Sequence, residues 1–449
     1  MKAIQYVTSE NQECEVYPVF PTLWRSGALT LTREEDTVSD DFRGFGVAIT
    51  GSSCYLLSTM EEAARRALIE RIYGKNGLGL SVARLSIGAS DYSAETYSYD
   101  DVPNDVALEH FSIDRDRAYV IPMIKEILAV NPDLYLFASP WSPPGWMKTN
   151  GRMCGGYMRD KYVACYADYI IKFLEAYEEC GIHISAITPQ NEPETQQHGR
   201  MPACIWHPDT EAYFISVLRE KLSARGMDTE IWMYDHNFEN VERVKASLDD
   251  HEALRRDASG IAFHYYGGSI TQCVELQEAY PALKMHFTEG GPRLYDNYAT
   301  DWCKWGIMMS EVLHHGFGSF TGWNLLLNEN GGPNVGPFFC GGLVTLNSRS
   351  GELSYSGQYK AFRHIAPFMK KGSRVHRVAI DRNSFGMFGF GINKTRHAMH
   401  AVSFETPDGK IVYILSNPDK EKRQVQFFER GEWWYSELLP NSLSTVVVE

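Results

Sequence analysis

Two glutamates stand where this chain could do chemistry. Glu192 lies in Thr188-Pro189-Gln190-Asn191-Glu192-Pro193-Glu194, a polar, proline-bounded turn that cuts off the apolar run Ile182 to Ile187. Glu289 lies in His286-Phe287-Thr288-Glu289-Gly290-Gly291, where a second such run ends. An apolar run that stops in a polar turn reads as a buried strand delivering a side chain to the edge of a sheet. Two carboxyl groups that meet this way can split a glycosidic bond. One gives a proton to the leaving oxygen, the other attacks the anomeric carbon, and a separation of about 5 Å leads to a covalent intermediate and retained configuration. Burial and mutual repulsion are expected to keep Glu192 protonated while Glu289 is free, with the order reversed once Glu289 is esterified. Glu194, the nearest rival for the acid, lies beyond Pro193 and is expected to face solvent.

Elements that could position these groups are legible on both sides. Candidate strands begin near Gly44, Leu80, Asp133, Ile184, Glu230, Gly260, Leu283 and Phe320. Helical patterns lie between them. Ser58-Thr59-Met60-Glu61 has capping-box spacing ahead of a helix to about Tyr73, and Asp209 could cap one to about Arg225. Tyr166, Tyr169, Ile170, Phe173, Leu174 and Tyr177 share one helical face, with Gly181 as a stop, and another helix is expected from about Ala299 to His315. Parallel strands need crossovers, usually helices, so the alternation predicts an α/β protein with a (β/α)8 TIM barrel. Glu192 then ends the fourth strand and Glu289 the seventh, both at the C-terminal face, where such barrels build their sites. A doubly wound open sheet is the structural alternative, but no G-x-G-x-x-G follows the first strand.

Outside the barrel the pattern is all strand. Residues 1–40 alternate short apolar and polar runs. Beyond the helix ending near Gly372, the hairpin from Ala398 to Ser416 turns at Thr406-Pro407-Asp408-Gly409, and two further strands, about Gln424 to Glu429 and Ser442 to Val448, follow. The expected organisation is N-terminal strands 1–40, a catalytic barrel 41–372 and a C-terminal segment 373–449, the two ends pairing into a side β-sandwich.

A chain of 449 residues with net charge -14 has the wrong sign for gripping nucleic acid or an anionic membrane. Ten Trp, 25 Tyr and 22 Phe suit the C–H faces of a neutral sugar. The nine cysteines have no C-x-x-C pairing, so neither a zinc or redox site nor a disulfide framework is expected, and no cofactor or metal is called for. The first ten residues lack an apolar h-region and no stretch reaches the roughly 18 apolar residues of a membrane span. The expectation is a reduced, cytoplasmic protein without integral membrane association, or a secreted one if a leader precedes this sequence. Nothing here speaks to oligomeric state.

The chain resembles glycoside hydrolase family 30, and within it the glucosylceramidase-like branch. The resemblance rests on Gly44 to Thr50, on Ala138-Ser139-Pro140-Trp141-Ser142-Pro143-Pro144-Gly145-Trp146 running on to Gly151, on Asn191-Glu192-Pro193, on Ile261 to Tyr266, on Thr288-Glu289 and on Trp323 to Asn328, in the family's order. It implies a retaining mechanism on a carbohydrate or glycoconjugate, with Glu192 as acid/base and Glu289 as nucleophile. It also implies that Asn191 hydrogen-bonds the sugar 2-hydroxyl, that Trp141 and Trp323 line the glycone pocket, that Tyr266 hydrogen-bonds the nucleophile and that Arg84 lies beside it. His264 is either a pocket contact or a hydrogen-bonded core histidine, and Asp235 either an aglycone-side contact or a loop cap.

One departure bears on substrate. Where the branch carries an Asp after the first strand, this chain has Gly51, so the expected glycone is less glucose than fucose, quinovose, xylose or galactose. Gly290-Gly291 is expected to open space beside Glu289. Two alternatives stand beside the glycosidase: a non-catalytic carbohydrate-binding protein on an enzyme scaffold, and a metal-dependent barrel hydrolase using His236, His264 and His286, which lack H-x-H or H-E-x-x-H spacing.

Overall fold

A computed structural model describes residues 2–382 and 399–449. Eight parallel strands close into a barrel: β1 (Gly44–Ala48), β2 (Val82–Ile87), β3 (Tyr135–Pro140), β4 (Ala186–Ile187), β5 (Glu230–Asn237), β6 (Gly260–His264), β7 (Lys284–Glu289) and β8 (Ser319–Gly322). Each is buried on both faces, which is why the strands read as near-continuous apolar runs rather than alternating ones. Val82, Phe137, Ala186, Trp232 and Ala262 fill one layer of the interior. His286 lies flat on Trp232 with ring centres 3.8 Å apart and meets Ser319 Oγ at 2.9 Å. The interior is a packed core, as barrel closure requires.

Helix ends differ from the sequence expectation in instructive ways. Ser58 and Thr59 do not start a helix. They finish Gly51–Thr59, and the following helix, Glu62–Tyr73, is capped by Glu61, whose carboxylate accepts from Ala64 N–H. Likewise Pro208–Ala224 is capped by His207, with Pro208 in the first helical position where its missing N–H costs nothing. The face carrying Tyr166 to Tyr177 belongs to Val163–Glu179, and Gly181 stops it at φ 76°.

The described chain forms two compact units: Phe45–Tyr295 with Gly318–Ser354, and Met1–Gly44 with Asp296–Phe317 and Tyr355–Glu449. The first holds the barrel and the C-terminal-face loops. The second is built on a ten-stranded sheet in which Ala3–Ser9 lies between Gln12–Val19 and Ser442–Val448. Its core gathers Leu31, Tyr413, Leu415, Phe427, Trp434 and Val446. Ala398 lies outside the described residues; the strand expected there runs His400–Glu405, and it pairs with Ile411–Asn417 as a hairpin. Arg374–Arg382 and Glu432–Leu438 are strands that the sequence reading did not single out. The helices Trp302–His314 and Gly357–Ile365 also belong to this unit.

Candidate active site

Glu192 leaves the end of β4 with φ 51°, a left-handed conformation uncommon for a side chain of its size. Its backbone N–H is held by the carbonyl of Asp235 (3.1 Å), and that of Asn191 by the carbonyl of Pro140 (2.8 Å). Glu289 is the last residue of β7. Carboxylate oxygens of the two lie within 4.8 Å of each other, on either side of a cleft of about 620 Å3. Trp141, Asn191, Tyr266 and Trp323 line the same cleft. Trp141 and Trp323 stack (5.2 Å, 20°), and Tyr266 donates its hydroxyl to Glu289 Oε1 at 2.9 Å.

Arg84 is found beside the nucleophile as expected, His264 is the hydrogen-bonded core histidine of its two readings, and Asp235 is neither an aglycone-side contact nor a loop cap; none of the three lines the cleft. They are buried behind its wall and act on the residues that do. Arg84 is ion-paired with Glu289, donates Nη2–H to Asn191 Oδ1 (2.8 Å) and pairs with Asp235 (2.7 Å). Its guanidinium also lies over the Trp141 ring at 4.8 Å. Asp235 is the hub: besides Arg84, it accepts from Ser139 Oγ (2.9 Å), Thr188 Oγ1 (2.7 Å), Thr288 Oγ1 (2.6 Å) and His264 Nε2 (3.0 Å). Burial would raise this carboxyl, but the Arg84 charge and the bonds from His264 and Thr288 hold it far below the usual range.

A kink in β5 makes the hub possible. Tyr234 (φ 77°) and Asp235 (φ 64°) are left-handed, and the register against β6 slips between Ala262 and Phe263. This bulge lets two successive residues, Asp235 and His236, both reach the Glu192 neighbourhood; an unbroken strand would send them to opposite faces. Glu211 accepts the Tyr234 N–H at 2.8 Å, satisfying a backbone donor at the bulge.

The protonation pattern differs from expectation. Burial does push Glu192 up, but the hydrogen bond from His264 and the charges of His236 and His264 outweigh it, leaving the carboxyl below its usual value. His264 moves the other way. Burial would lower the imidazole, yet the Glu289 charge and the bonds to Asp235 and Glu192 lift it to about 9. The resting proton therefore sits on the His264 side of the pair, not on Glu192. Both ring nitrogens of His264 face carboxylates, Nδ1 toward Glu192 Oε1 at 3.4 Å and Nε2 toward Asp235 Oδ1 at 3.0 Å. Of the other histidines named from sequence, His236 stands with His264 beside Glu192, whereas His286 packs on Trp232 inside the barrel.

Four further features were missed or misjudged by the sequence reading. Glu194 does not point to solvent; its side chain is 17% exposed and accepts from His236 Nδ1 (2.9 Å), Tyr234 Oη (2.9 Å) and Asn240 Nδ2 (3.0 Å). Asp91, in the polar run Ser90 to Ser93 after β2, enters the cleft with Oδ1 buried and unpartnered. Burial, followed by the charges of Glu289 and Glu192, pushes it well above the carboxylate range, favouring the protonated acid. Gly51 stands apart from the lining; a Cβ there would come 3.3 Å from Ser93 Oγ, so the Asp91 loop already occupies that space. Finally, Gly290 and Gly291 open no room. Side chains there would strike Phe287 and Tyr265 (2.8 and 2.9 Å) and Trp323 (2.9 Å).

The cleft lining also mixes polar and aromatic side chains. Thr195, Gln197, Asn237, Glu239 and Asn240 supply polar groups, while Tyr295, Phe338 and Phe339 supply aromatic ones; Tyr295 and Phe339 are 71% and 65% exposed. Gln197 donates to Glu192 Oε2 at 2.6 Å.

Residues 42–369 match the glycosyl hydrolase family 30 TIM-barrel domain. The endo-1,6-beta-D-glucanase of Neurospora crassa is 28% identical over 90% of this chain and 85% of its own. The lysosomal acid glucosylceramidase of Mus musculus is 27% identical over 88% and 78% respectively. Among solved structures, SrfJ from Salmonella typhimurium superposes with a TM-score of 0.89 over the full length of both chains at 26% identity.

Proposed function

The chain belongs to glycosyl hydrolase family 30, and from that premise we propose that it is a retaining β-glucosidase whose leaving group is a second sugar of a β-linked gluco-oligosaccharide. The observation that carries this reading is the approach of the Glu192 and Glu289 carboxylates to within 4.8 Å, the spacing of a double displacement rather than of an inverting pair with room for water. Glu289 attacks the anomeric carbon, its oxygens aligned by Arg84 and Tyr266. Glu192 protonates the departing oxygen and then takes a proton from the incoming water. For the first step the proton must move onto Glu192, and His264, bonded to it at 3.4 Å, is the donor at hand. Asn191 turns its Oδ1 to Arg84, which leaves Nδ2–H for the sugar 2-hydroxyl, a bond that strengthens as the oxocarbenium character grows.

Asp91 supports glucose as the glycone. Its unpartnered Oδ1 supplies the distal carboxyl that Gly51 does not, and the relatives named above are a glucanase and a glucosylceramidase. The mixed lining favours a sugar leaving group, since one face of a pyranose stacks on an aromatic ring while its rim hydroxyls need polar partners. A panel of 4-nitrophenyl β-glycosides differing at C4 and C6, run beside β-1,6- and β-1,3-linked disaccharides and glucosylceramide, tests both parts. Glucoside turnover should exceed galactoside, fucoside and xyloside by about tenfold or more, and Asp91→Ala should flatten the ranking. A fucoside or xyloside preferred over glucoside, or glucosylceramide preferred over every disaccharide, refutes the assignment. Azide added to Glu192→Ala should yield the β-glucosyl azide; the α-azide would overturn retention.

A further inference from the structure

Glu192 is flanked by two imidazoles, of which the mechanism above uses one. His264 is backed by Asp235 at 3.0 Å. On the other side His236 presents Nε2 to Glu192 Oε1 at 3.9 Å while its Nδ1 is held by Glu194 at 2.9 Å. The two rings stand edge to face, 6.2 Å between centres. Each imidazole is therefore oriented by its own carboxylate, and the arrangement is a carboxylate–imidazole pair repeated on both sides of one glutamate. Only the bulge in β5 allows it, since Asp235 and His236 are adjacent in sequence yet serve the two pairs separately.

Resting on the acid/base reading of Glu192, we propose that His236, held by Glu194, is a positioning residue that sets the pH at which Glu192 parts with its proton. Three observations favour it. His236 lines the cleft but is only 9% exposed, so it faces Glu192 with little competing water. Glu194 spends its carboxylate on orienting that ring: Tyr234 and Asn240 hold it from one side, and Arg243 stands 3.8 Å from its second oxygen. Burial would raise Glu194, but the bonds from His236, Asn240 and Tyr234 keep it low, so the carboxylate stays charged beside the ring. The groups facing His236 are then Glu192, Glu194, His264, Tyr234 and Asn237, whose Nδ2 lies 3.5 Å from Nε2; Arg243 acts only through Glu194. The His236 ring so placed favours ionised Glu192, making it a stronger acid toward a poor leaving group. The same ring keeps its pH window below that of an isolated buried glutamate.

The test uses pH profiles of kcat/KM on two substrates. An alkyl β-glucoside needs the proton from Glu192, and 2,4-dinitrophenyl β-glucoside does not. In His236→Gln the basic limb on the alkyl glucoside should move upward by about one pH unit, the low end of what an opposite charge within 4–6 Å does to a carboxylate. Glu194→Gln, which keeps the shape and loses the charge, should move it the same way. The double variant should move it no further, because both changes remove one interaction. The dinitrophenyl profile should hold its shape throughout. An unmoved limb in the single variants, shifts that add in the double, or equal losses on both substrates would overturn the proposal. Glu192→Gln separates the two claims: if it does not cost the alkyl substrate far more than the dinitrophenyl one, the acid/base reading itself has failed.

Discussion

Replacing Asp235 by Asn probes the hub on which the cleft depends. The carboxylate is wholly buried and accepts five hydrogen bonds, two at Oδ1 (His264, Thr288) and three at Oδ2 (Arg84, Ser139, Thr188). An amide cannot satisfy this set. Whichever way it is flipped, its NH2 meets either the Arg84 guanidinium or the His264 Nε2–H, neither of which can accept. Hydroxyls can rotate away, but the cation cannot, so the variant breaks one of the two buried ion pairs of Arg84 and leaves it with Glu289. That class of change costs about 3–5 kcal/mol. Thr188→Val, which removes one hydroxyl and keeps the ion pair, is the control and should cost about 1 kcal/mol. Urea unfolding followed by tryptophan fluorescence reads the barrel, because Trp141, Trp232 and Trp323 are buried in it. Activity should fall by about 100-fold, in kcat more than in KM, since Arg84 would no longer hold Glu289 and Asn191 in register. An Asp235→Asn protein that loses no more stability than Thr188→Val, with kcat intact, would show that Arg84 does not rely on Asp235.

Two other outcomes follow from the same geometry. His264 is lifted from 6.5 to about 9 by folding, so its contribution is fully present below pH 6.5 and is lost as pH rises through about 9. The wild type should therefore lose up to about 3 kcal/mol over that window in urea titrations, relative to a His264→Gln protein measured alongside; parallel curves would refute it. Lys148 is a buried cation with no carboxylate partner among the described residues, donating to Ser142 Oγ (2.8 Å) and to the carbonyls of Met153 and Ala203 (2.6 Å each). Lys148→Met orphans these acceptors and should lower the urea midpoint by the equivalent of about 1–3 kcal/mol, and an unchanged midpoint would mean that water replaces the ammonium.

The barrel was legible because its strands are buried on both faces and interrupted by helix-period stretches, a pattern that survives in a single sequence. Its first residues were placed within about two positions of the observed strands, from Gly44 to Ser319. Glu192 and Glu289 were legible for the same reason, being the first carboxylates after apolar runs. What could not be read depends on backbone geometry that residue identity only weakly constrains. The left-handed pair Tyr234-Asp235 carries no glycine or asparagine to announce a bulge. Without the bulge, Asp235 and His236 cannot be assigned to one site. Glu194 looked exposed because Pro193 suggested a departing chain, whereas Tyr234, His236 and Asn240, all more than 39 residues later, draw it inward. Asp91 was hidden in the stretch between β2 and β3, where no periodicity marks which polar residue turns inward. Gly290 and Gly291 invited a reading of empty space because a sequence shows what a glycine lacks, not what has moved into the gap.

The placement of Ala3–Ser9 between a neighbour nine residues away and one at the far end of the chain, with Ala3 opposite Val448, orders events during synthesis. This strand is made long before Ser442–Val448, so one of its edges stays unpaired until that partner has been synthesised. A nascent chain halted before Ser442 already holds Asp91, Glu192, His236 and Glu289, with the whole cleft lining complete by Cys340. It would still expose an open strand edge, the feature that invites aggregation and recognition by chaperones. Chemistry is thus encoded before the sheet can close, and the last seven-residue strand, Ser442–Val448, is the seal.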